Sequence, residues 1–292
     1  MDPNAGKRTL VNKLSREELQ AKLDAETFNR TTVSFYKYVI IEHPQELRDA
    51  LFAQWSKWDC LGRIYVSREG INAQMNVPEH HWDAFDAYIH GIEYFHDVPF
   101  KLAVTDKTEG KSFLKLVVKV REQIVADGLQ PEDYDVTDVG AHLTAKDWNE
   151  AIEKHDPVVV DMRNHYESEI GHFEGAVLPE AETFREELPM VLEKLKGQED
   201  RKILLYCTGG IRCEKTSAFL KHHGFKDVNQ LHGGIIDYAR QIEEEKLPNK
   251  FHGINFVFDE RLGEAISDEV ISECHQCGQP SANHTNCSNK AC

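Results

Sequence analysis

The run Lys202-Ile203-Leu204-Leu205-Tyr206-Cys207-Thr208-Gly209-Gly210-Ile211-Arg212-Cys213-Glu214-Lys215 decides how this chain is read. Residues 202–206 are apolar and strand-like, and residues 216–223 carry helical spacing. A cysteine between a strand and a helix, followed at once by a glycine-containing loop, places one sulfur inside a ring of backbone N–H groups. Those donors and the helix N-terminus favour an anion there. Cys207 is therefore expected to be a thiolate near neutral pH, the reactive form of cysteine, and to stand open to an unstacked base. Arg212 adds positive charge that lowers the thiol pKa. The loop residues Thr208, Gly209, Gly210 and Ile211 supply amides that stabilise charge developing during attack. The plain alternative is a buried structural cysteine after a strand, which the glycine pair and the arginine disfavour. Cys213, on the first turn of the following helix, is placed either to resolve an oxidised Cys207 as a disulfide or to fill a small core position.

The spacing excludes one relative of this chemistry. A cysteine-dependent phosphatase needs C-x5-R, which would put arginine at position 213, where this chain has Cys213. The loop is one residue too short to cradle a tetrahedral phosphate, and suits a single sulfur or oxygen adduct on Cys207.

Around that loop, short apolar strands such as residues 158–161 and 203–206 alternate with helical stretches. This is the signature of a parallel sheet with crossover helices. The first part of the chain has a different order. Residues 15–25 read as a short helix with Ser15 and Glu18 spaced as a capping box. Strands over 31–41, 62–66, 71–77, 100–105 and 112–124 then interleave with helices over 44–58 and 79–92. Strand-helix-strand-strand-helix-strand is the ferredoxin-like arrangement. The fold class is thus α/β: a ferredoxin-like domain over residues 1–128, an acidic linker over 129–140, an α/β domain over 141–250, and a segment over 251–292 with a cysteine-rich end.

The chain has 292 residues, a net charge of −16 and 40% apolar residues, enough for about two domains with proper cores. Residues 1–121 hold 17 basic and 17 acidic residues, so residues 122–292 carry the whole net charge. A nucleic acid would therefore engage the first domain, because phosphate is repelled by an acidic surface. No apolar run reaches the length of a membrane span, and residues 1–8 show no secretory h-region. Seven cysteines, an odd number, suit a reducing cytosol better than a disulfide framework.

In the last strand of the first domain, Lys115, Lys119 and Arg121 share one face with Phe113 and Val117. A basic, partly aromatic face can take phosphates and stack an unpaired base; the alternative is an ordinary solvated face. Arg68, in the Ser67–Gly70 turn, is a further RNA-contact candidate or simply part of a hairpin turn.

Asp161-Met162-Arg163, Gly171-His172-Phe173-Glu174-Gly175-Ala176, the Cys207 loop and Gly233-Gly234-Ile235-Ile236-Asp237-Tyr238 together resemble the rhodanese superfamily over residues 141–245. Asp161 and Arg163 read as a structural brace, and His172 as a packing residue. The stretches Arg30 to Tyr38, Gly62-Arg63-Ile64-Tyr65, Glu69 to Gln74, Ile124 to Gly128 and Asn255 to Arg261 are similar to the TrhO (UPF0176) family over nearly the whole chain. That resemblance implies a tRNA uridine hydroxylase, acting on carbon five of the wobble uridine with molecular oxygen as co-substrate. It also implies the anticodon loop of tRNA as partner and a cytoplasmic location. Two other readings stay open: a sulfurtransferase carrying a persulfide on Cys207, and a non-catalytic RNA-binding module with a redox-sensing cysteine. No flavin or nicotinamide motif and no facial-triad spacing is visible.

Cys274, Cys277, Cys287 and Cys292 form C-x2-C-x9-C-x4-C, the spacing of a structural zinc site. The alternative is a tail with spare thiols. The resemblance implies further cysteines and a basic tail beyond Cys292.

Overall fold

The computed structural model describes residues 14–103, 112–129, 133–154, 156–258 and 261–283. The chain divides into two units, Met1–Ala126 with Asp259–Arg261, and Asp127–Phe258 with Leu262–Cys292.

The first unit opens with helix α1 (Arg16–Asp24). Its start is fixed by a capping box: the Glu18 N–H donates to Ser15 Oγ at 3.2 Å, and the Ser15 N–H to Glu18 Oε2 at 2.7 Å. Then follow β1 (Arg30–Tyr38), α2 (Pro44–Lys57), β2 (Leu61–Ser67), β3 (Gly70–Pro78), α3 (Trp82–His90), β4 (Lys101–Leu102) and β5 (Leu116–Val120). The sheet order is β4-β1-β3-β2-β5. The four strands β4, β1, β3 and β2 are antiparallel neighbours in the ferredoxin-like order. β5 adds a fifth strand, parallel to β2, with Tyr65 opposite Lys119. Alternation along the strands sends Val33, Phe35, Ile64, Val66, Ile71, Ala73, Met75 and Val77 to one face. There they pack with Leu51 and Trp55 of α2 and Phe85 and Ile89 of α3.

Some element bounds differ from the sequence expectation for identifiable reasons. The helix expected over 79–92 begins as a 3-10 turn, Glu79–His81. The strand expected over 112–124 is shorter, because the Phe113 N–H turns to the Asn76 side chain (2.9 Å) instead of a ladder partner. Residues 104 and 105 of the strand expected over 100–105 lie outside the described residues.

The second unit contains β6 (Ala141–Leu143), α4 (Ala145–Lys154), β7 (Val158–Asp161), α5 (His165–Ser168), β8 (Gly171–Phe173), α6 (Phe184–Lys194), β9 (Lys202–Tyr206), α7 (Ile211–His222), β10 (Asp227–Leu231), α8 (Gly234–Glu245), β11 (Phe251–Asn255) and β12 (Glu264–Ala265). Its main sheet, β6-β10-β9-β7, is wholly parallel. This is the buried α/β arrangement expected from the apolar runs. β11, a stretch whose sequence has no clear periodicity, pairs antiparallel with β8 and β12. Trp148, Phe173, Tyr206, Tyr238 and Phe251 meet in one aromatic cluster. Tyr238, the last residue of the glycine-glycine motif, accepts from the Lys250 N–H at 2.9 Å and donates to Asn149 at 3.0 Å, so it ties α8 to α4.

Candidate active site

Cys207 leaves the C-terminal end of β9, the central position at which an open parallel sheet presents its ligands. Three residues later the chain turns into α7 through Gly210, whose φ of 94° is costly for any residue with a Cβ. This turn brings the Gly210 N–H to 3.1 Å from the Cys207 sulfur. The amides of Arg212 and Cys213 and the Cys213 thiol also donate to it. Burial pushes the Cys207 thiol up; the Cys213 hydrogen bond, the Arg212 charge and the two amides outweigh it and bring the pKa down to about 5. Cys213 moves the opposite way. Burial, then the hydrogen bond to Cys207 and its charge, hold it well above the ordinary thiol value. The pair is therefore one thiolate and one neutral S–H donor.

The expectation that the sulfur stands open is corrected: Cys207 is 0% exposed. The same curl that aims the amides at the sulfur wraps the loop around it. Thr208, Gly209 and Ile211 are half-buried and form the loop's outer edge.

The outward-facing carbonyls of the loop have their own partners. At the start of α8, the Ile235 N–H donates to the Cys207 carbonyl (3.0 Å) and the Ile236 N–H to that of Thr208 (3.2 Å). Gly234 sits at φ 69°, and a Cβ there would lie 2.6 Å from the Cys207 carbonyl oxygen and 2.7 Å from that of Thr208. The glycine-glycine motif thus lets the α8 N-terminus press against the back of the loop.

Arg212 forms a bidentate pair with Glu167 at 2.6 and 2.9 Å. Glu167 is fully buried at the end of α5, where its carboxylate also accepts the Asn164 N–H at 3.1 Å. Thr208 Oγ1 lies 3.3 Å from both Glu167 and Arg212. Asp161 and Arg163 make a second, wholly buried bidentate pair at 2.9 and 2.6 Å. Arg163 also donates to the Gly171 carbonyl. This pair links β7 to β8. The His172 ring meets the Ser168 carbonyl at 2.8 Å.

Two acidic residues of the site were not singled out in the sequence. Glu167 follows Asp161-Met162-Arg163 by four residues, and its three-residue spacing from Asn164 is a usable capping signal. Glu187, on α6, gives no signal; it reads as one more surface acid in an acidic helix. It is 0% exposed, and neither carboxyl oxygen has a hydrogen-bond partner.

The first unit presents the sheet face opposite its helices. Tyr36, Asn72, Tyr65 and Lys119 stand in one cross-strand row. Arg121 places its guanidinium 5.6 Å from the Tyr65 ring centroid, and Lys101 its amine 4.1 Å from that of Tyr36. Arg63 and Arg121 are exposed and Lys119 half-buried on this face. Lys115, also exposed, precedes β5, and Arg68 lies at the β2–β3 turn. The expected aromatic partner changes: Phe113 is buried, and the face takes its aromatic character from Tyr36 and Tyr65.

In the cysteine-rich end, Cys274 accepts from the amides of Gln276 and Cys277, which hold its thiol below the ordinary value. The Gly278 N–H closes the turn on the Cys274 carbonyl at 2.8 Å. Two thiols in such a turn fit half of a tetrahedral thiolate site. Cys287 and Cys292 lie outside the described residues, and no cluster of three metal-ligating side chains occurs among the described residues. No described helix is long and apolar enough to cross a membrane.

Comparison with known proteins adds to this geometry. A UPF0176 acylphosphatase like domain matches residues 30–124, a rhodanese-like domain residues 144–241, and a rhodanase C-terminal region residues 252–292. A protein of Leptospira interrogans named tRNA uridine(34) hydroxylase is 57% identical over 286 residues, covering 98% of this chain and 77% of its own length. A protein of the same name from Yersinia enterocolitica is 51% identical, covering 97% of this chain and 81% of its own length. The chain belongs to the UPF0176 family of rhodanese-superfamily enzymes, together with these relatives named tRNA uridine(34) hydroxylase.

Proposed function

We propose that this enzyme hydroxylates carbon five of the uridine at the wobble position, 34, of tRNA, with molecular oxygen as co-substrate, an external two-electron reductant carrying the second oxygen atom to water, and Cys207 as the reacting residue. The observation that carries the reading is a buried sulfur held as thiolate by Cys213, Arg212 and three amides, in a chain 57% identical to a protein of that name. Cys207 attacks the ring, Arg212 and the amides of the 208–211 loop hold developing negative charge, and Glu167 fixes the guanidinium in place. Cys213 donates its hydrogen bond to the thiolate and stands ready to resolve an oxidised Cys207. Asp161 and Arg163 support the scaffold. The half-buried edge of Thr208, Gly209 and Ile211 is the side from which the base approaches.

The anticodon loop docks on the sheet face of the first unit. Tyr36 and Tyr65 offer stacking surfaces, while Lys119 and Arg121, with Lys115 and Arg68 nearby, take phosphates. Residues 1–121 are charge-neutral whereas the rest of the chain carries the acidity, which steers RNA to that face. Cys274 and Cys277, with Cys287 and Cys292, would hold a structural zinc ion. The enzyme works in the cytoplasm, where its thiols stay reduced.

Nucleoside mass spectrometry of tRNA from cells lacking the protein tests this. 5-Hydroxyuridine derivatives should vanish, and return with the wild type but not with Cys207→Ser. Loss of thiolated nucleosides instead would establish the rival sulfurtransferase reading, which the names of the relatives do not favour.

A further inference from the structure

The Cys207 site contains one acid that its hydrogen-bond network leaves out. Glu187 projects from α6, the helix packed against α7. Its carboxyl group is fully buried, yet both oxygens lack a partner. It lies within electrostatic reach of Arg212, Asp161, Glu167 and Cys207. An uncompensated buried polar group costs about 1–3 kcal/mol, and an ionised one far more, so such a group calls for a functional explanation. The neighbouring acids do not share this condition. Glu167 takes both guanidinium nitrogens of Arg212, and Asp161 those of Arg163. The hydrogen-bonded ion pair of Arg212 is with Glu167, and Glu187 is the one acid of this group without a hydrogen-bonded cation of its own. Burial, above all, pushes its carboxyl well above the usual range. The nearby Arg212 charge opposes this and the Asp161, Glu167 and Cys207 charges add to it.

We propose that Glu187 is the proton donor of this site, a neutral carboxylic acid that protonates the substrate oxygen made negative when the Cys207 thiolate adds to the pyrimidine ring. This rests on the hydroxylase reading above and deepens it. In the step, a bond forms between the Cys207 sulfur and ring carbon six. The π pair of the C5–C6 double bond forms a new C4–C5 double bond, and the π pair of the C4–O4 carbonyl moves onto O4. The Glu187 O–H bond breaks as O4 takes the proton. The products are a neutral thioether, a neutral enol and a Glu187 carboxylate; one negative charge has moved from sulfur to carboxylate, and no oxidant is consumed. The adduct's carbon five is then electron-rich, the property that hydroxylation at that carbon requires. The Arg212 charge, within reach of Glu187, stabilises the carboxylate until the proton returns as bond formation at carbon five restores the O4 carbonyl.

Glu187→Gln keeps the shape and neutrality of the acid but has no proton to give. In cells lacking the chromosomal copy, its tRNA should carry less than a hundredth of the wild-type rate of 5-hydroxyuridine formation, in the range usual for loss of a general acid. Thiolate absorbance of Cys207, read against Cys207→Ser, should still titrate, and the melting temperature at neutral pH should not fall. Glu187→Asp should restore part of the rate. In the wild type, single-turnover hydroxylation of an anticodon stem-loop should decline at high pH as the acid ionises, and Glu187→Gln should lack that decline. Hydroxylation by Glu187→Gln within about twofold of wild type would overturn the proposal. If Glu187→Gln does not fold, infrared difference spectroscopy of the wild type decides: a buried protonated carboxyl band that is absent overturns the proposal, and one that is lost when Cys207 is trapped by a 5-fluorouridine stem-loop supports it. A wild type that makes no 5-hydroxyuridine at all would instead sink the hydroxylase reading, so the two failures are distinguishable.

Discussion

Cys60 and Cys207 are both buried, at 2% and 0% exposure, and they titrate in opposite directions. At Cys60, just before β2, burial dominates and pushes the thiol up to about 12, with Arg30 opposing and Asp59 adding only as charges at a distance. At Cys207 burial acts in the same sense and loses to donors aimed at the sulfur, leaving it at about 5. Removal from water therefore does not set a thiol's state. The donors and charge aimed at it do: here the Cys213 thiol and the Arg212 guanidinium first, then the amides that the backbone path turns inwards. Cys60 begins an ordinary strand with no loop to turn amides inwards. Cys207 ends one and is followed by a loop built to do so.

Four substitutions sharpen or break this contrast. The largest effect is expected from Arg212→Met, which strips Glu167 of its guanidinium partner in a buried site. Leaving a buried charge unpaired should cost about 3–5 kcal/mol, read as a drop in urea midpoint with unchanged slope. A loss below 1 kcal/mol would show that Glu167 is held by its other partners. Next, Gly234→Ala places a methyl group against the loop's carbonyls at a positive φ, which costs about 1–3 kcal/mol before any clash. It should also raise the Cys207 titration midpoint, since the loop must shift. Loss of stability with an unmoved midpoint would separate the scaffold from the thiolate. Cys213→Ala removes one donor to Cys207 while changing little volume. The midpoint of thiolate absorbance should rise from about 5, while Cys60 titrates as before. The sign for stability follows. A depressed thiol pKa adds stability that is fully present above the unfolded value of about 8.5 and is lost as pH falls towards the folded value of about 5. Cys213→Ala should narrow that window from its acid side, which denaturant melts at pH 5, 7 and 9 will register. Cys60→Ala should have the least effect, about 1 kcal/mol of stability and full rescue of tRNA modification in the knockout. Failure of that rescue in a folded variant would give Cys60 a role that its titration denies.

Much of this arrangement was legible in the sequence, and unevenly so. The strand, the Cys207 loop and α7 announce themselves because apolar run, glycine pair and helical spacing are all local. The ferredoxin-like order follows from alternation of periods 2 and 3.6 along residues 30–124. What was not legible is what depends on distant segments. That Cys207 is enclosed rather than open comes from the loop's curvature, which depends on Ile235 and Ile236 behind it. Phe113 looked like a stacking ring because strand periodicity was extended past Leu116; its N–H is instead captured by Asn76. Tyr36 and Tyr65 were hidden because cross-strand rows are set by register, and register joins residues that are far apart in sequence. Glu187 was invisible because a buried acid and a solvated one have the same letter; only tertiary packing of α6 tells them apart.

The contacts from α8 to the back of the Cys207 loop carry a wider implication. A ring of amides that all face one atom must show all its oxygens to the other side, so any such nest has an electronegative reverse. Here that reverse is met at the Cys207 and Thr208 carbonyls by the positive end of a helix whose N-cap and first residue are glycine. Two hydrogens contributed from nearly thirty positions downstream thus hold the loop's curl from behind, while the anion itself is held by the amides of Gly210, Arg212 and Cys213 with the Cys213 thiol and the Arg212 charge.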